Sequence, residues 1–203
     1  MTKIKLCGLS REEDIKNANI LMPDFVGFVF AEKSKRFISM EKAATLKKIL
    51  DSKILSVGVF VNEKIEIIAQ CLKNKIIDIA QLHGDEDNEF IKKLRIFADK
   101  PIIKAFKITG EKNLQDAEKS LADFVLLDSG TGGGKTFDWS LIQNFKRPYF
   151  LAGGLTSENV SEAILKLKPF AVDVSSGIEV RAGLAAKDAA KMKNFIQAVR
   201  SVK

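Results

Sequence analysis

Residues 149–174 read YFLAGGLTSENVSEAILKLKPFAVDV, and this stretch carries the pattern on which the fold depends. An apolar run, Tyr149–Leu151, precedes a glycine-containing loop and a segment with helical spacing of apolar residues, Ser157–Leu167. A second apolar run, Ala171–Val174, follows. Short runs of apolar and aromatic residues bounded by turn residues are typical of buried strands. Because a crossover helix joins parallel strands, the stretch predicts one strand–helix–strand unit of a parallel sheet.

The same alternation extends over the rest of the chain. Counting the two runs above, eight apolar runs are predicted to be strands: Ile4–Cys7, Phe25–Phe30, Leu55–Phe60, Ile77–Leu82, Ile102–Phe106, Phe124–Leu127, Tyr149–Leu151 and Ala171–Val174. Helical patterns accompany them, for example Met40–Leu50, Lys64–Leu72, Gly110–Leu121, Ser157–Leu167 and Ala189–Val199. Eight such units without a long linker predict a single (β/α)8 barrel that forms one domain over residues 1–203.

The competing architecture is a doubly wound open sheet, which has the same strand–helix alternation. Both folds bind ligands beyond the carboxyl ends of their strands, so polar residues at those ends do not separate the two. The count of eight strands favours the closed barrel.

The composition is that of a globular protein. Of the 203 residues, 46% are hydrophobic and 29% are charged. No apolar stretch reaches the length of about 18 to 20 residues that a membrane span needs. The N-terminal residues lack the apolar segment of a secretory signal, and two cysteines are too few for a disulfide framework. We therefore expect a reducing cytoplasm.

The net charge of +7 raises the question of a nucleic-acid partner. The lysines are scattered along helix-like segments, and no basic block with interleaved aromatic residues occurs. Solvated helix faces account for most of this charge, so neither a nucleic-acid nor a membrane partner is expected.

Alternation along the first predicted strand places Lys5 and Cys7 on one face and two apolar residues on the other. The apolar face suits the helices, so Lys5 and Cys7 are predicted to point into the barrel, with Cys7 at its rim. A buried cysteine is often only a small hydrophobic residue, and that alternative stays open. Neighbouring cations, however, favour the thiolate, which can act as a general base. Cys71 lies within a helical apolar pattern and is predicted to belong to the core.

Asp128 directly follows the sixth predicted strand. Its position after four apolar residues predicts a pKa raised by desolvation. A carboxylate that caps a helix or orders a loop would occupy the same position, so that alternative also stays open. In a ring of eight strands, the ends of strands one and six face each other across the mouth. Cys7 and Asp128 would then flank one substrate.

The segment after Asp128 reads SGTGGGKT over residues 129–136, and its end resembles a phosphate-binding P-loop. That motif requires a glycine where Ser129 stands, and no long helix follows directly. A mobile loop over the barrel mouth is the better interpretation.

Glycines also follow the last two predicted strands, at Gly153 and Gly154 and in the segment Ser175–Gly177. Barrels often bind a phosphate with these two loops and a nearby helix N-terminus, and Ser157 is placed to begin such a helix. Turns also need glycine, so each loop alone is weak evidence. Two such loops after these two strands predict a phosphate site.

Two more polar residues follow predicted strands. His83, the single histidine, shares a face with Gln81; a lone histidine is more often structural than catalytic, although it titrates near neutrality. Arg36 lies in the loop after the second strand, where it could be merely solvated, but its planar guanidinium suits a carboxylate.

Several segments together resemble the phosphoribosylanthranilate isomerase family. They are KLCGL at 5–9, GFVF and KSKRFIS within 27–39, QLHGDE at 81–86, LLDSGTGGGKTFDW at 126–139, LAGGLTSENV at 151–160 and AVDVSSGIE at 171–179. They follow the order of the family from near the N-terminus to residue 179, and the long glycine-containing segment is highly specific.

The resemblance implies an Amadori rearrangement in tryptophan biosynthesis, from N-(5-phosphoribosyl)anthranilate to 1-(2-carboxyphenylamino)-1-deoxyribulose 5-phosphate, without metal or cofactor. It implies that Asp128 is the general acid that opens the ribose ring and that Cys7 is the general base that removes the C2 proton. Arg36 matches the family residue that holds the anthranilate carboxylate. The phosphate site is matched by Gly153, Gly154, Ser175, Ser176 and Gly177, and other pocket positions are matched by His83 and Asp173.

The chain departs from the family pattern in two places. Ala31 and Glu32 stand where the family usually has an aromatic residue and a proline. After Glu179 the family tends to run Pro-Gly-x-Lys-Asp, whereas residues 181–188 read RAGLAAKD and make this loop two residues longer. Neither departure touches the acid, the base or the carboxylate clamp.

Three other functions compete with this isomerase. A phosphate-binding barrel isomerase of histidine biosynthesis would share the last two loops but not the pair of Cys7 and Asp128. A non-catalytic barrel scaffold would be expected to have lost one of the pair, and a nucleic-acid binder would show salt-dependent DNA binding. The isomerase is predicted, acting on a small anionic substrate with phosphate and carboxylate groups, as a monomer or a homodimer.

Overall fold

The computed structural model describes residues 1–128, 138–181 and 184–202, and eight parallel strands in it form a closed barrel. The strands are β1 (Lys3–Cys7), β2 (Phe25–Val29), β3 (Leu55–Phe60), β4 (Ile79–Leu82), β5 (Ile102–Lys107), β6 (Phe124–Asp128), β7 (Tyr149–Leu151) and β8 (Ala171–Val174). Each strand pairs with the next, and β1 pairs with β8. That last pairing confirms the predicted barrel and excludes an open sheet.

Seven α-helices are found in the described residues: α1 (Glu12–Leu21), α2 (Met40–Ile49), α3 (Ile65–Lys73), α4 (Asn88–Phe97), α5 (Glu111–Glu118), α6 (Val160–Leu167) and α7 (Ala189–Arg200). A helix was expected in every connection; after β6 the described part begins at residue 138 and holds the short 3-10 helix Trp139–Ile142. Asp138 begins it by accepting a hydrogen bond from the Ser140 N–H. None of the described helices combines the length and the apolar character that crossing a bilayer requires.

The helix after β7 begins later than the sequence predicts. Ser157 lies in a turn, and α6 starts three residues further on, at Val160. The turn is closed by Asn159, whose Oδ1 accepts from the Thr156 N–H at 2.9 Å and whose Nδ2 donates to the Gly154 carbonyl at 2.9 Å. The same side chain therefore delays the helix and ties the turn to the glycine loop.

Helix α5 is shorter than predicted, ending at Glu118 instead of Leu121. The guanidinium of Arg147 donates to the carbonyls of Ala117, Glu118 and Ser120 at distances of 2.8–3.1 Å. These carbonyls are satisfied without further helical turns. The other ends of the predicted strands and helices agree with the structure within two residues.

Apolar side chains fill the lower half of the barrel. Phe25 and Phe150 lie 5.4 Å apart between ring centroids, and Phe124 lies 5.8 Å from Phe150. Each such buried side chain contributes roughly 1.5–3 kcal/mol. Polar groups are therefore left for the carboxyl ends of the strands.

The faces predicted for β1 are confirmed. Ile4 and Leu6 are buried in the core that the sheet shares with the helices, whereas Cys7 packs with Val29 and Val59 near the strand ends. Cys71 is fully buried in the main core, as predicted.

Candidate active site

The polar residues predicted from the strand ends meet around one cavity of about 270 Å³. Nine of the ten predicted site residues line it: Cys7, Arg36, His83, Asp128, Gly153, Gly154, Asp173, Ser175 and Ser176. Cys7 is the last residue of β1 and Asp128 the last of β6, and β7 and β8 lie between those strands in the ring. The structure thus brings a thiol and a carboxyl group to the same cavity.

Gly177, the tenth predicted residue, is not among the residues that line the cavity. A Cβ atom at this position would lie 2.1 Å from the Leu155 carbonyl oxygen, which no side chain tolerates. Gly177 therefore lets the loop after β8 approach the loop after β7.

Lys5 and Asp173 form a buried ion pair one inward position below Cys7. They are register partners in the β1–β8 pairing, and Lys5 Nζ lies 2.8 Å from Asp173 Oδ2. Burial lowers the pKa of Lys5, but Asp173 and Cys7 together outweigh burial and leave that pKa raised. Lys5 therefore keeps its positive charge beside the thiol. Oδ1 of Asp173 is buried and has no hydrogen-bond partner in the described part of the chain.

Burial is the strongest influence on Cys7. It raises the pKa of the thiol, Lys5 and Lys187 lower it, Asp173 raises it, and the net pKa lies above the ordinary value. The cation that the sequence predicts on this face is present. It does not make the thiolate the resting form at neutral pH, because desolvation of the sulfur outweighs it.

Gly27 on β2 provides the space for the Cys7 sulfur. The two residues are register partners, and a Cβ atom at Gly27 would lie 2.7 Å from Cys7 Sγ. Gly27 was not among the residues predicted to form the site. Its signal was a glycine inside an otherwise apolar strand, which often marks a close approach of another group.

At the other side of the cavity, His83 lies next to Asp128. His83 Nε2 is 3.3 Å from Asp128 Oδ2, and Gln81 Nε2 donates to His83 Nδ1 at 2.9 Å. Because Nδ1 accepts this hydrogen bond, the neutral ring carries its proton on Nε2, toward Asp128. The glycine-rich segment 129–136, predicted to be a mobile loop, lies outside the described residues.

Arg36 is held by a buried carboxylate, Glu179. Arg36 Nε lies 2.6 Å from Glu179 Oε1, and Lys187 Nζ lies 3.4 Å from the same oxygen. Burial lowers the pKa of Lys187 although Glu179 opposes the effect. The sequence does not single out Glu179 or Lys187, because charged residues in a loop are ordinarily solvated.

The two glycines after β7 adopt left-handed backbone conformations, with φ angles of 91° for Gly153 and 68° for Gly154. Neither amide N–H donates a hydrogen bond to another described residue. On the neighbouring loop, Ser175 Oγ donates to the Cys7 carbonyl at 3.1 Å. Backbone N–H groups without internal partners can bind an anion.

A wider cleft of about 910 Å³ opens on the other side of His83 and Asp128. Its lining mixes acidic residues, among them Asp85 and Asp87, with the lysines Lys104, Lys107 and Lys119, and the described residues that line it include neither Cys7 nor Arg36. The smaller cavity has the arginine, the glycine loops and the thiol, and we therefore take it as the active site.

Comparison with known proteins identifies the family. The family model described as N-(5'-phosphoribosyl)anthranilate (PRA) isomerase matches residues 4–198. The chain belongs to this family. It is 44% identical over 207 residues to the isomerase of Endomicrobium trichonymphae and 45% identical over 212 residues to that of Clostridium acetobutylicum, with full coverage of each chain.

Solved structures of PRA isomerases have the same fold. The enzyme from Thermotoga maritima has a TM-score of 0.88 at 39% identity, with 98% of this chain and 99% of that chain covered. The enzyme from Thermus thermophilus has a TM-score of 0.88 at 31% identity, with both chains fully covered. A PRA isomerase in complex with reduced 1-(o-carboxyphenylamino)-1-deoxyribulose 5-phosphate has a TM-score of 0.85 at 38% identity, with 98% and 99% covered.

The two departures from the family pattern both lie near this cavity. Ala31 lines it. In the longer last loop, Glu179 and Lys187 form an isolated antiparallel bridge, and the Val180 N–H donates to the Ala186 carbonyl at 2.9 Å. Residues 182 and 183 lie outside the described part. Of the two residues that close this loop, Glu179 binds Arg36, and Lys187 binds Glu179. The expectation that the longer loop does not touch the carboxylate clamp is therefore wrong.

Proposed function

We propose that this PRA isomerase family member converts N-(5-phosphoribosyl)anthranilate to 1-(2-carboxyphenylamino)-1-deoxyribulose 5-phosphate, a step of tryptophan biosynthesis. One observation carries the proposal: a single cavity is lined by Cys7, Asp128, Arg36 and the glycine loop after β7. These groups supply a base, an acid, a cation for a carboxylate and amides for a phosphate. The family match disfavours the histidine-biosynthesis isomerase and the non-catalytic scaffold.

In the first step, Asp128 gives its proton to the ribose ring oxygen. The bond between C1 and that oxygen breaks, the oxygen becomes a hydroxyl group, and an iminium group forms at C1. His83 Nε2 lies 3.3 Å from Asp128 Oδ2, so its N–H group faces the carboxylate that remains after proton transfer and stabilises it.

In the second step, the Cys7 thiolate removes the proton from C2, and the electron pair of that C–H bond neutralises the iminium group. The resulting enolamine takes a proton at C1 and loses one from the C2 hydroxyl, which gives the ketone. Because Cys7 is mainly a thiol in the free protein, only its ionised fraction acts as a base. The positive charge of the iminium group acts together with those of Lys5 and Lys187. It therefore favours ionisation of Cys7 at the step in which the base acts.

The remaining groups of the cavity bind the substrate. Arg36 takes the anthranilate carboxylate, and the loops of Gly153–Gly154 and Ser175–Gly177 take the phosphate. The buried Oδ1 of Asp173, which has no hydrogen-bond partner among the described residues, is placed to accept a hydrogen bond from a sugar hydroxyl. The rearrangement needs proton transfers alone, so no metal or cofactor is part of the proposal.

The cellular setting follows from the reaction. We propose a cytoplasmic enzyme that acts as one domain over residues 1–203, as a monomer or a homodimer, without a nucleic-acid partner.

The direct test is proton NMR of the substrate during incubation with the purified protein. The anomeric C1 signal should disappear and a C1 methylene signal should appear. The same spectra with the aminoaldose substrate of histidine biosynthesis should not change. Conversion of only the second substrate would overturn the proposed function.

A further inference from the structure

Arg36 is held at two points of its side chain, the aliphatic stem and Nε. Its stem lies over Gly8, where a Cβ atom would be 2.6 Å from Arg36 Cδ, and Gly8 has a φ angle of 76° that favours glycine. At the other end of the side chain, Nε is bound to Glu179 Oε1. The arginine is therefore ordered although it lines an open cavity.

Glu179 lies between two cations inside the protein. Its side chain and that of Lys187 are fully buried, and the side chain of Arg36 is 23% exposed. A buried carboxylate costs several kcal/mol unless it is paired, and Arg36 and Lys187 compensate this one. One negative and two positive charges leave the group positively charged beside the cavity, which suits an anionic substrate.

The ion pair also determines which edge of the guanidinium can meet a ligand. Glu179 occupies Nε, whereas the two terminal nitrogens of Arg36 have no hydrogen-bond partner among the described residues. A carboxylate can bind these two nitrogens end-on with two parallel hydrogen bonds. Without Glu179, the guanidinium could rotate and present its other edge.

We propose that Glu179 is a positioning residue that orients Arg36 for the anthranilate carboxylate. The inference rests on the proposed function, in which Arg36 binds that group. Glu179 does not touch the substrate itself. Its effect is to hold one end of the substrate so that the sugar carbons lie between Cys7 and Asp128.

A second contact links the same charge group to the base. Lys187 Nζ donates to the Ser175 carbonyl at 2.9 Å, and the hydroxyl of Ser175 donates to the Cys7 carbonyl at 3.1 Å. Arg36 and the end of β1, which carries the base, are therefore held by one network centred on Glu179 and Lys187.

The test compares two substrates with the Glu179→Gln variant: N-(5-phosphoribosyl)anthranilate and the corresponding derivative of aniline, which lacks only the carboxylate. For the first substrate, KM should rise about tenfold with little change in kcat. The reason is that a misoriented Arg36 loses one charge-assisted hydrogen bond to the substrate carboxylate. For the aniline derivative, kcat/KM should stay within about twofold of the wild-type value. In the double variant with Arg36→Ala, the glutamine should add nothing further.

Glu86→Gln is the matched control. Glu86 is a buried carboxylate at the same end of the barrel, but its partners in the described part of the chain are Lys104 and the N–H groups of Asn62 and Gly84, with no arginine among them. This variant should change the rates for both substrates alike. If Glu179→Gln also did so, its role would be structural and the inference would be wrong.

The Arg36→Ala variant tests the proposed carboxylate clamp separately from the positioning role of Glu179. If Arg36→Ala left the KM of the carboxylated substrate unchanged, the clamp assignment itself would be wrong. If Glu179→Gln does not fold, Glu179→Asp keeps the charge and shortens the side chain by one methylene group. The aspartate should still raise KM for the carboxylated substrate selectively, and an equal effect on both substrates would contradict the positioning role.

Discussion

Lys5 on β1 and Asp173 on β8 are joined by a 2.8 Å ion pair inside the barrel, and Cys7 is the next inward-facing residue after Lys5. The two partners act on the Cys7 thiol with opposite signs, since Lys5 lowers its pKa and Asp173 raises it. The pair therefore tunes the proposed base through its charges.

Replacement of Lys5 by Met should move the ionisation of Cys7 to higher pH, whereas Asp173→Asn should move it to lower pH. The measurement is the rate of Cys7 alkylation as a function of pH, with Cys7→Ala as the blank. Because alkylation needs no substrate, the possible role of Asp173 in binding does not affect it. Shifts of the same sign in both variants would contradict the electrostatic account.

In the wild type, the raised pKa of Cys7 predicts that the rate of its alkylation increases with pH from neutrality into the alkaline range. The thiolate is the nucleophile, and its fraction increases about tenfold per pH unit below the pKa. Alkylation reports the thiol alone, whereas kcat/KM also requires protonated Asp128. A pH–rate profile of wild-type alkylation checks this. A profile that is flat above pH 7 would contradict the raised pKa of the thiol.

Gly27→Ala should impair catalysis, because the new Cβ would lie 2.7 Å from Cys7 Sγ. The displaced sulfur should reduce turnover by roughly 10- to 100-fold, and crowding should cost about 1–3 kcal/mol of stability. Gly110→Ala is the control, since nothing lies within 4 Å of the Cβ position there. Equal turnover in the two variants would remove the role assigned to Gly27.

Cys71 should make the protein less stable at alkaline pH. Burial raises its pKa from 9.0 to about 11, with a smaller contribution from Glu63. The unfolded chain loses this proton above about pH 9 while the folded protein retains it, so unfolding becomes more favourable as pH rises through this window. The loss is roughly 1.4 kcal/mol per pH unit at most.

Urea unfolding at pH 8.5 and 10.5 measures this dependence on pH. The decrease in the free energy of unfolding should be smaller in Cys71→Ala than in the wild type. The cavity left by the substitution lowers stability at both pH values and cancels in the comparison. An unchanged decrease would show that Cys71 does not carry the effect.

Local patterns predicted most of the fold. The period-two alternation in β1 gave the inward direction of Lys5 and Cys7, and the count of apolar runs gave the closed ring. The end of α5 was not predictable locally, because Arg147 reaches its carbonyl groups from 27 to 30 residues away in the chain. The start of α6 depends on Asn159, which bonds to the Gly154 carbonyl within the same loop, a contact that the apolar spacing does not reveal.

The candidate site was predictable where its residues directly follow strands, as Cys7 and Asp128 do. Glu179 and Lys187 were not predicted as site residues, because their burial results from the last loop folding back onto Arg36. Arg36 and Glu179 are 143 residues apart in the chain. The net pKa of Cys7 also depends on a balance between desolvation and several charges that only the folded structure provides. Residue type and spacing indicate which groups take part, whereas their ionisation depends on the packing around them.

The central claim is that Cys7 is the base of this rearrangement. The most direct measurement is the decay of N-(5-phosphoribosyl)anthranilate fluorescence, with substrate made in situ, for the wild type, Cys7→Ala and Asp128→Asn. Rapid decay is expected with the wild type, and each variant should lose about 10²- to 10⁴-fold in turnover. Near-normal turnover by well-folded Cys7→Ala would contradict the assignment of the base, and no decay with well-folded wild type would contradict the proposed reaction itself.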